Sequence, residues 1–246
     1  MQLHVLGSTG YHPNEERQTT CLMLPEIGLV FDAGTAMFRV RDLLATDSLD
    51  IFLTHGHLDH VIGLTFMFDI LWEKEMRRVE VHGAADKLEA LNTHLFSEVL
   101  FPVKPPFDWV PLEGEVEVGG GGTLSFFPLQ HPGGSLGYRI DWPDRSLAFV
   151  TDTTADPDAA YVQAIQGVDV LVHECNFADG WEAQAQLTGH SCTTPVARVA
   201  ERAGVGRLVL SHLNPLVTGP DPIGLAAAQA IFPETEIACD NMRIDF

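Results

Sequence analysis

Thr54-His55-Gly56-His57-Leu58-Asp59-His60 places three histidines and one aspartate within six residues, directly after the apolar run 51–53. His55 and His57 are two positions apart, so both imidazoles can face one way in an extended turn, and Gly56 lets the backbone bend there. Imidazole and carboxylate donors together suit zinc and also accept manganese or iron. The pattern predicts a metal site, with a solvated polar loop as the alternative.

Four further apolar runs end in a polar side chain that can bind a metal or transfer a proton. These residues are His131 after 124–129, Asp152 after 147–151, His173 and Glu174 after 168–172, and His212 after 208–211. In α/β proteins, sites lie where the ends of buried strands converge. Together with His55, the five strand ends predict one shared cavity.

Composition bounds the class of protein. The chain has 246 residues, of which 46% are apolar, and it carries 14 Lys+Arg against 34 Asp+Glu for a net charge of −20. The length and apolar content predict one globular domain over 1–246. The negative charge argues against a nucleic-acid surface rich in lysine and arginine and against attraction to anionic lipid.

The apolar periodicity alternates short strands with turns, and helices interleave at both ends of the chain. This predicts an α/β protein with mixed sheets and helices packed outside them. The predicted helices cover 63–76, 86–95, 156–165, 223–232 and a segment opened by Thr194-Pro195. No basic, apolar leader begins the sequence, no apolar run is long enough to span a bilayer, and the four cysteines form no CxxC pair, so we expect a cytoplasmic protein.

The motifs resemble those of the metallo-β-lactamase superfamily. Residues 54–60 match its HxHxDH signature, and the segments around Gly7, Asp32, His131, Asp152 and His212 resemble its other motifs in order and spacing. The resemblance covers nearly the whole chain. It implies an αββα sandwich of two mixed sheets and outer helices, with a binuclear metal site on its edge.

The resemblance also implies a set of metal ligands. One ion would take His55, His57 and His131, the other would take Asp59, His60 and His212, and Asp152 would bridge the two. Two Zn²⁺ ions are expected, with Mn²⁺ or iron as alternatives.

The likeness is greatest to ribonuclease Z and related phosphodiesterases. His173-Glu174-Cys175-Asn176 resembles the HEAT-type motif of that group, and Gly189-His190-Ser191-Cys192 resembles its GHST motif. The resemblance implies that His190, supported by Glu174, protonates the leaving oxygen, and Asp59 joins them among the expected catalytic residues. Two alternatives remain open here: Glu174 only pairs with a nearby cation, and His190 is a solvated histidine flanking a helix.

One departure bears on the substrate. Ribonuclease Z carries a long arm that grips tRNA, whereas only residues 141–145 join the corresponding segments here. This argues against tRNA and favours a small anionic phosphodiester. The family also tends to dimerise near residues 66–72, whose apolar side chains favour either a core position or a homodimer face.

The expected function is therefore a metal-dependent hydrolase, with metal-bound hydroxide attacking a phosphodiester. Two alternatives stay open: a carboxylic ester, lactone or thioester hydrolase on the same fold, and a metal-binding module without turnover.

Overall fold

A computed structural model describes residues 1–246. Two seven-stranded sheets pack face to face, and helices cover the outer face of each sheet. The predicted four-layer α/β sandwich of two mixed sheets and outer helices is confirmed.

The strands of the first sheet, in spatial order, are β14 (Met242–Asp245), β1 (Gln2–Gly7), β2 (Cys21–Leu24), β3 (Leu29–Phe31), β4 (Ser48–Phe52), β5 (Arg78–Gly83) and β6 (Asp108–Pro111). Those of the second sheet are β13 (Thr235–Ile237), β12 (Arg207–Ser211), β11 (Val170–Glu174), β10 (Arg145–Val150), β9 (Ser135–Trp142), β8 (Gly122–Leu129) and β7 (Val116–Val118).

The α-helices are α1 (Val40–Leu43), α2 (Leu58–Val61), α3 (Met67–Ile70), α4 (Ala85–Ala90), α5 (Tyr161–Ala164), α6 (Glu182–Thr188), α7 (Thr193–Ala203) and α8 (Leu225–Gln229). Four 3₁₀ segments (Pro25–Ile27, Thr35–Arg39, Ile62–Phe66 and Gly119–Gly121) and a π-helical turn (Leu91–Leu95) complete the regular structure.

Strand direction determines where the polar strand ends meet. β3, β4, β5 and β6 run parallel to one another in the first sheet, and β10, β11, β12 and β13 do so in the second. β8 pairs antiparallel to β9, which pairs antiparallel to β10, so β8 and β10 point the same way. The carboxyl ends of β8, β10, β11 and β12 therefore lie along one edge of the second sheet.

A core rich in aromatic residues joins the two sheets behind that edge. Phe31 of the first sheet lies 5.4 Å from Tyr138 and 5.6 Å from Phe149 of the second, measured between ring centroids. The Tyr138 hydroxyl donates a hydrogen bond of 2.5 Å to the carbonyl of Leu53, just before the histidine-rich turn. Because each buried aromatic residue removes a large apolar area from water, this packing fixes the end of β4 against the second sheet.

The predicted helix over 63–76 is wrong: the 3₁₀ segment Ile62–Phe66 and the short α3 occupy its first part, and residues 71–76 are not helical. The amide of Gly63 donates to the carbonyl of Ala33 over 2.7 Å instead of to the preceding helical turn. The contact is so close that a Cβ on Gly63 would lie 2.4 Å from the Gly34 oxygen. Tertiary packing of the 33–34 loop therefore interrupts the helix.

Other differences are smaller. The helix expected over 156–165 is regular only at Tyr161–Ala164, and α6, β6 and β14 were not predicted. All four cysteines are free thiols. None of the helices combines the length and apolar composition that crossing a membrane requires.

Candidate metal centre

The edge formed by the strand ends carries the polar residues that the sequence singled out. His55 follows β4, His131 follows β8, Asp152 follows β10, and His212 follows β12, while Glu174 ends β11. Apart from Glu174, their side chains and those of His57, Asp59, His60 and His190 form overlapping groups in which the possible ligand atoms lie within 4.8 Å of one another. All the residues predicted as ligands are thus brought together in one cluster.

Backbone conformation directs three polar side chains at this edge. Asp32 after β3, Asp152 after β10 and His212 after β12 have φ angles of 56°, 53° and 53°. Residues other than glycine adopt this left-handed region uncommonly, and such strain concentrates at functional sites. Here each positive φ lies within two residues of the end of a parallel strand.

The possible ligand atoms divide into two groups. The first consists of His55, His57, His131 and Asp152, and the second of Asp59, His60 and His212. In the first group, Nε2 of His131 lies 3.3 Å from Nδ1 of His57. In the second, Nε2 of His60 lies 3.2 Å from Nε2 of His212 and 3.3 Å from Oδ2 of Asp59.

Asp152 faces both groups, with a different carboxylate oxygen toward each. Its Oδ2 lies 3.5 Å from Nε2 of His55 and 3.4 Å from Nε2 of His131. Its Oδ1 lies 3.2 Å from Nε2 of both His60 and His212. A carboxylate placed in this way can bridge two cations.

Hydrogen bonds behind the cluster fix which imidazole nitrogens face it. Nδ1 of His131 donates to the carbonyl of Gly189 over 2.9 Å, and Nδ1 of His60 lies 2.7 Å from Oδ2 of Asp32. These contacts leave Nε2 of both rings with a lone pair toward the cluster. Partners of this kind orient metal-binding histidines and raise their basicity.

Asp32 serves both groups at once. It accepts a hydrogen bond from the Thr54 hydroxyl, and that hydroxyl oxygen lies 3.0 Å from Nδ1 of His55. Since the hydroxyl proton points to Asp32, the Nδ1–H of His55 donates to the Thr54 oxygen. One fully buried carboxylate therefore orients His60 directly and His55 through Thr54.

The cluster fits a metal by its donor chemistry. Nε2 of His55 is buried without a hydrogen-bond partner and points toward Asp152. Buried polar atoms in native proteins are almost always satisfied, so an unpartnered imidazole nitrogen beside a carboxylate fits a cation ligand. Imidazole and carboxylate donors are those of zinc sites in proteins.

The pKa shifts of two of these residues, Asp152 and His55, agree with that role. Burial opposes ionisation of Asp152, but the imidazoles of His212 and His60 outweigh it and hold its pKa well below the ordinary value. Burial lowers the pKa of His55 well below the ordinary value, and the neighbouring His60 adds to the effect. Asp152 is therefore ionised and His55 neutral, which are the states that bind metals.

His190 and Glu174 form a pair at the side of the cluster. Oε1 of Glu174 lies 3.1 Å from Nδ1 of His190 and accepts the amide of Thr153, while Oε2 accepts the amides of Asn176 and Ser191. Burial lowers the pKa of His190, but the Glu174 carboxylate more than compensates and the pKa rises to about 9. Glu174 has no lysine or arginine beside it, and its cationic partner is His190, whose side chain is 16% exposed.

A cleft of about 370 Å³ opens beside His55 and His57. The turn of residues 56–58, α4 with the following π-helical turn, and the loop 132–134 form its walls. We call it the α4 cleft. The remaining lining residues are Gly56, Leu58, Lys87, Ala90, Leu91, His94, Leu95, Pro132, Gly133 and Gly134.

Three features of the site were not predicted from the sequence. Asp32 was noted only as part of a strand-loop motif, and nothing assigned it a partner. The second is the segment of residues 10–11: the amide of Tyr11 donates to Oδ2 of Asp59 over 2.6 Å, and Gly10 packs directly against the ring of His212. The α4 cleft is the third. A carboxylate directly after a short buried strand was the one available signal for Asp32.

Comparison with known proteins gives the family. Residues 29–213, about three quarters of the chain, match the family model described as a beta-lactamase superfamily domain. Ribonuclease Z from Bradyrhizobium sp. is 29% identical over 306 aligned positions covering 99% of each chain. Because this chain has 246 residues, at least 60 of those positions (306 − 246) have no counterpart in it.

Two solved structures share the fold. The metallo-beta-lactamase fold protein YhfI from Bacillus subtilis superposes with a TM-score of 0.82 at 20% identity, covering 99% of both chains. The short form of human tRNase Z superposes with a TM-score of 0.79 at 20% identity, covering 100% of this chain and 99% of the other.

The resemblance to the superfamily and to its ribonuclease Z branch is confirmed. The chain belongs to the family described as the beta-lactamase superfamily domain. It is a metal-dependent hydrolase that acts on ester bonds.

Proposed function

We propose that this protein is a binuclear phosphodiesterase acting on a small or modest-sized substrate. The observation that carries the proposal is the His190–Glu174 pair beside the bridging position of Asp152. An alkoxide leaving group needs a proton, and an imidazolium held by a carboxylate can donate one. The name ribonuclease Z, borne by a relative that aligns over the whole chain, supports the same chemistry.

Two divalent ions, most simply Zn²⁺, would occupy the two groups of ligands. His55, His57 and His131 would hold one ion, Asp59, His60 and His212 the other, and Asp152 would bridge them. Mn²⁺ or iron suits the same donors. When bound, such ions supply Lewis acidity and a water of lowered pKa.

The chain's own residues provide the remaining steps. The two ligand groups would hold the cations on the two sides of the Asp152 carboxylate. The positive charge held there would orient the phosphate. Glu174, fixed by three backbone amides, would hold the His190 ring through Nδ1 so that its other nitrogen faces the cluster. Because its pKa is raised to about 9, His190 carries a proton at neutral pH and can transfer it to the leaving oxygen.

A compact substrate is favoured over tRNA. β9 and β10 pair directly at Trp142 and Arg145, so only a two-residue turn lies where the arm would be inserted. The net charge of −20 also opposes a polyanion.

A homodimer in solution is part of the proposal. Phe68 and Trp72 are 42% and 63% exposed, which suits an interface better than a core. Light scattering of the purified protein tests this, and a mass near 26.9 kDa would reject it.

The function is tested by elemental analysis and a substrate panel. Pure protein never exposed to chelator should contain about two transition-metal ions per chain. It should hydrolyse bis-p-nitrophenyl phosphate or a cyclic nucleotide in a chelator-sensitive manner. Asp152→Asn should abolish turnover, whereas His12→Ala, which removes an exposed histidine outside the cluster, should retain it. Turnover of lactones or thioesters alone would favour the carboxylic ester alternative, and metal without any turnover would favour a binding module.

A further inference from the structure

The α4 cleft is continuous with the ligand cluster but differs from it in character. His55 and His57 form its inner end, and five of its twelve lining residues have apolar side chains: Leu58, Ala90, Leu91, Leu95 and Pro132. Leu58 lies inside the histidine-rich turn, yet its side chain is 64% exposed. Leu58 therefore presents apolar surface to the cleft beside the histidines.

Charge in the cleft is nearly balanced. Lys87 is the only lysine or arginine that lines it, and its Nζ lies 2.8 Å from Oδ2 of Asp86. A nucleic-acid strand continuing through the cleft would bring one phosphate per nucleotide and would need unpaired cations. The cleft therefore suits an uncharged group better than a polyanion.

The position of the cleft decides which part of a substrate it receives. Its walls include His55 and His57 but neither His190 nor Glu174. In the proposed reaction His190 protonates the leaving oxygen, so the leaving group lies toward His190. The substituent toward the α4 cleft is then the one that stays on phosphorus.

The opposite wall leaves room for such a group. Gly133 and Gly134 have φ angles of +85° and +82°, which favour glycine, and no atom lies within 4 Å of where their Cβ atoms would be. The volume of about 370 Å³ is in the range of small-molecule pockets, roughly 300–1,000 Å³.

We propose that the α4 cleft binds an uncharged apolar or aromatic ester arm, the arm that remains on phosphorus, and so makes the enzyme selective for phosphodiesters carrying one compact apolar substituent. This inference rests on the proposed phosphodiesterase function.

The test compares p-nitrophenyl phosphodiesters that share a leaving group and differ in the other arm: methyl, phenyl and 4-carboxyphenyl. We expect kcat/KM for the phenyl arm to exceed that for the methyl arm by about tenfold. This corresponds to burial of about 55 Å² of additional apolar surface. The carboxylated arm should lose most of that gain. Equal values for methyl and phenyl, or preference for the charged arm, overturn the inference while leaving the phosphodiesterase intact. No turnover of any arm overturns both.

A variant locates the effect in the cleft. Ala90→Phe fills the cleft from an exposed position at the end of α4, and it should lower the ratio of kcat/KM for the phenyl arm to kcat/KM for the methyl arm about tenfold. Ala227→Phe, at an exposed position in α8, is the matched control and should leave this ratio unchanged. A thermal melt checks that both variants fold. If Ala90→Phe does not fold, the comparison of the three ester arms with the wild-type enzyme decides the test. Unchanged selectivity in a folded Ala90→Phe variant overturns the inference.

Discussion

Nδ1 of His190 lies 3.1 Å from Oε1 of Glu174, and the same carboxylate accepts three backbone amides from separate segments. Thr153 belongs to the loop that carries Asp152, and Ser191 follows His190 itself. Glu174 therefore fixes the position of the proposed proton donor relative to the loop that carries Asp152. A carboxylate tied in this way keeps the imidazole in a single orientation.

His190→Ala should lower kcat for phosphodiesters by about 10²–10³-fold, because general acid catalysis contributes effects of that size. The loss should be larger for an alkoxide leaving group than for p-nitrophenolate, which departs without a proton. Elemental analysis should show unchanged metal content. Loss of metal would make His190 a ligand instead of an acid, and an equal loss for both leaving groups would remove its role as proton donor.

Asp32→Asn should weaken binding of both ions, because Asp32 orients His60 directly and His55 through Thr54. Loss of such a partner typically costs 10–100-fold in metal affinity. Asparagine also tolerates the positive φ at this position, so the backbone is preserved. Competition with a chromophoric chelator measures the two affinities.

Asp50→Asn is the matched control for this change. Asp50 also pairs with a histidine, since its Oδ1 lies 3.1 Å from Nε2 of His82, but the pair lies outside the cluster of ligands. Metal affinity should be unchanged in this variant. Equal weakening of metal binding in Asp32→Asn and Asp50→Asn would show a general effect on the sheet. Thr54→Val should weaken binding only of the ion beside His55.

Gly10→Ala should displace His212. A Cβ on Gly10 would lie 2.2 Å from Cε1 of the His212 ring, well inside van der Waals contact, so the ring must move. We expect kcat/KM to fall at least tenfold and the ion beside His60 and His212 to bind more weakly. Gly114→Ala, where no atom lies within 4 Å of the new Cβ, should be silent. A fully active Gly10→Ala enzyme would show that the His212 position is not critical.

The shared cavity could be predicted because His55, His131, Asp152 and His212 each follow an apolar strand, and strands that point the same way bring their carboxyl ends to one edge. The division of the ligands between two ions came only from the family resemblance. Asp32 could not be assigned a role, since its partner His60 is 28 residues away and nothing in the sequence links them. The contact of Gly10 with His212 spans about 200 residues and depends on how the two sheets pack. The helix over 63–76 failed for the same reason, because the loop at Ala33 and Gly34 redirects the backbone at Gly63.

His173 provides a test of stability instead of activity. It is fully buried; its Nδ1 donates to the carbonyl of Glu174 over 2.7 Å, and its Nε2 accepts from the Tyr161 hydroxyl at 3.1 Å. Burial lowers its pKa below the ordinary value of 6.5. The unfolded chain therefore takes up a proton at a higher pH than the folded chain. The stability associated with neutral His173 is present above about pH 6.5 and is lost as pH falls toward the lowered pKa.

His173→Gln removes this titration while keeping a polar side chain. The difference in unfolding free energy between pH 7 and pH 5 should be smaller in the variant than in the wild type, by no more than about 1.4 kcal/mol for each pH unit below 6.5. Urea denaturation at both pH values measures it, and the other histidines cancel because they titrate in both proteins. A drop in stability of equal size at both pH values would mean that His173 contributes only hydrogen bonds, and that its protonation plays no part in acid unfolding.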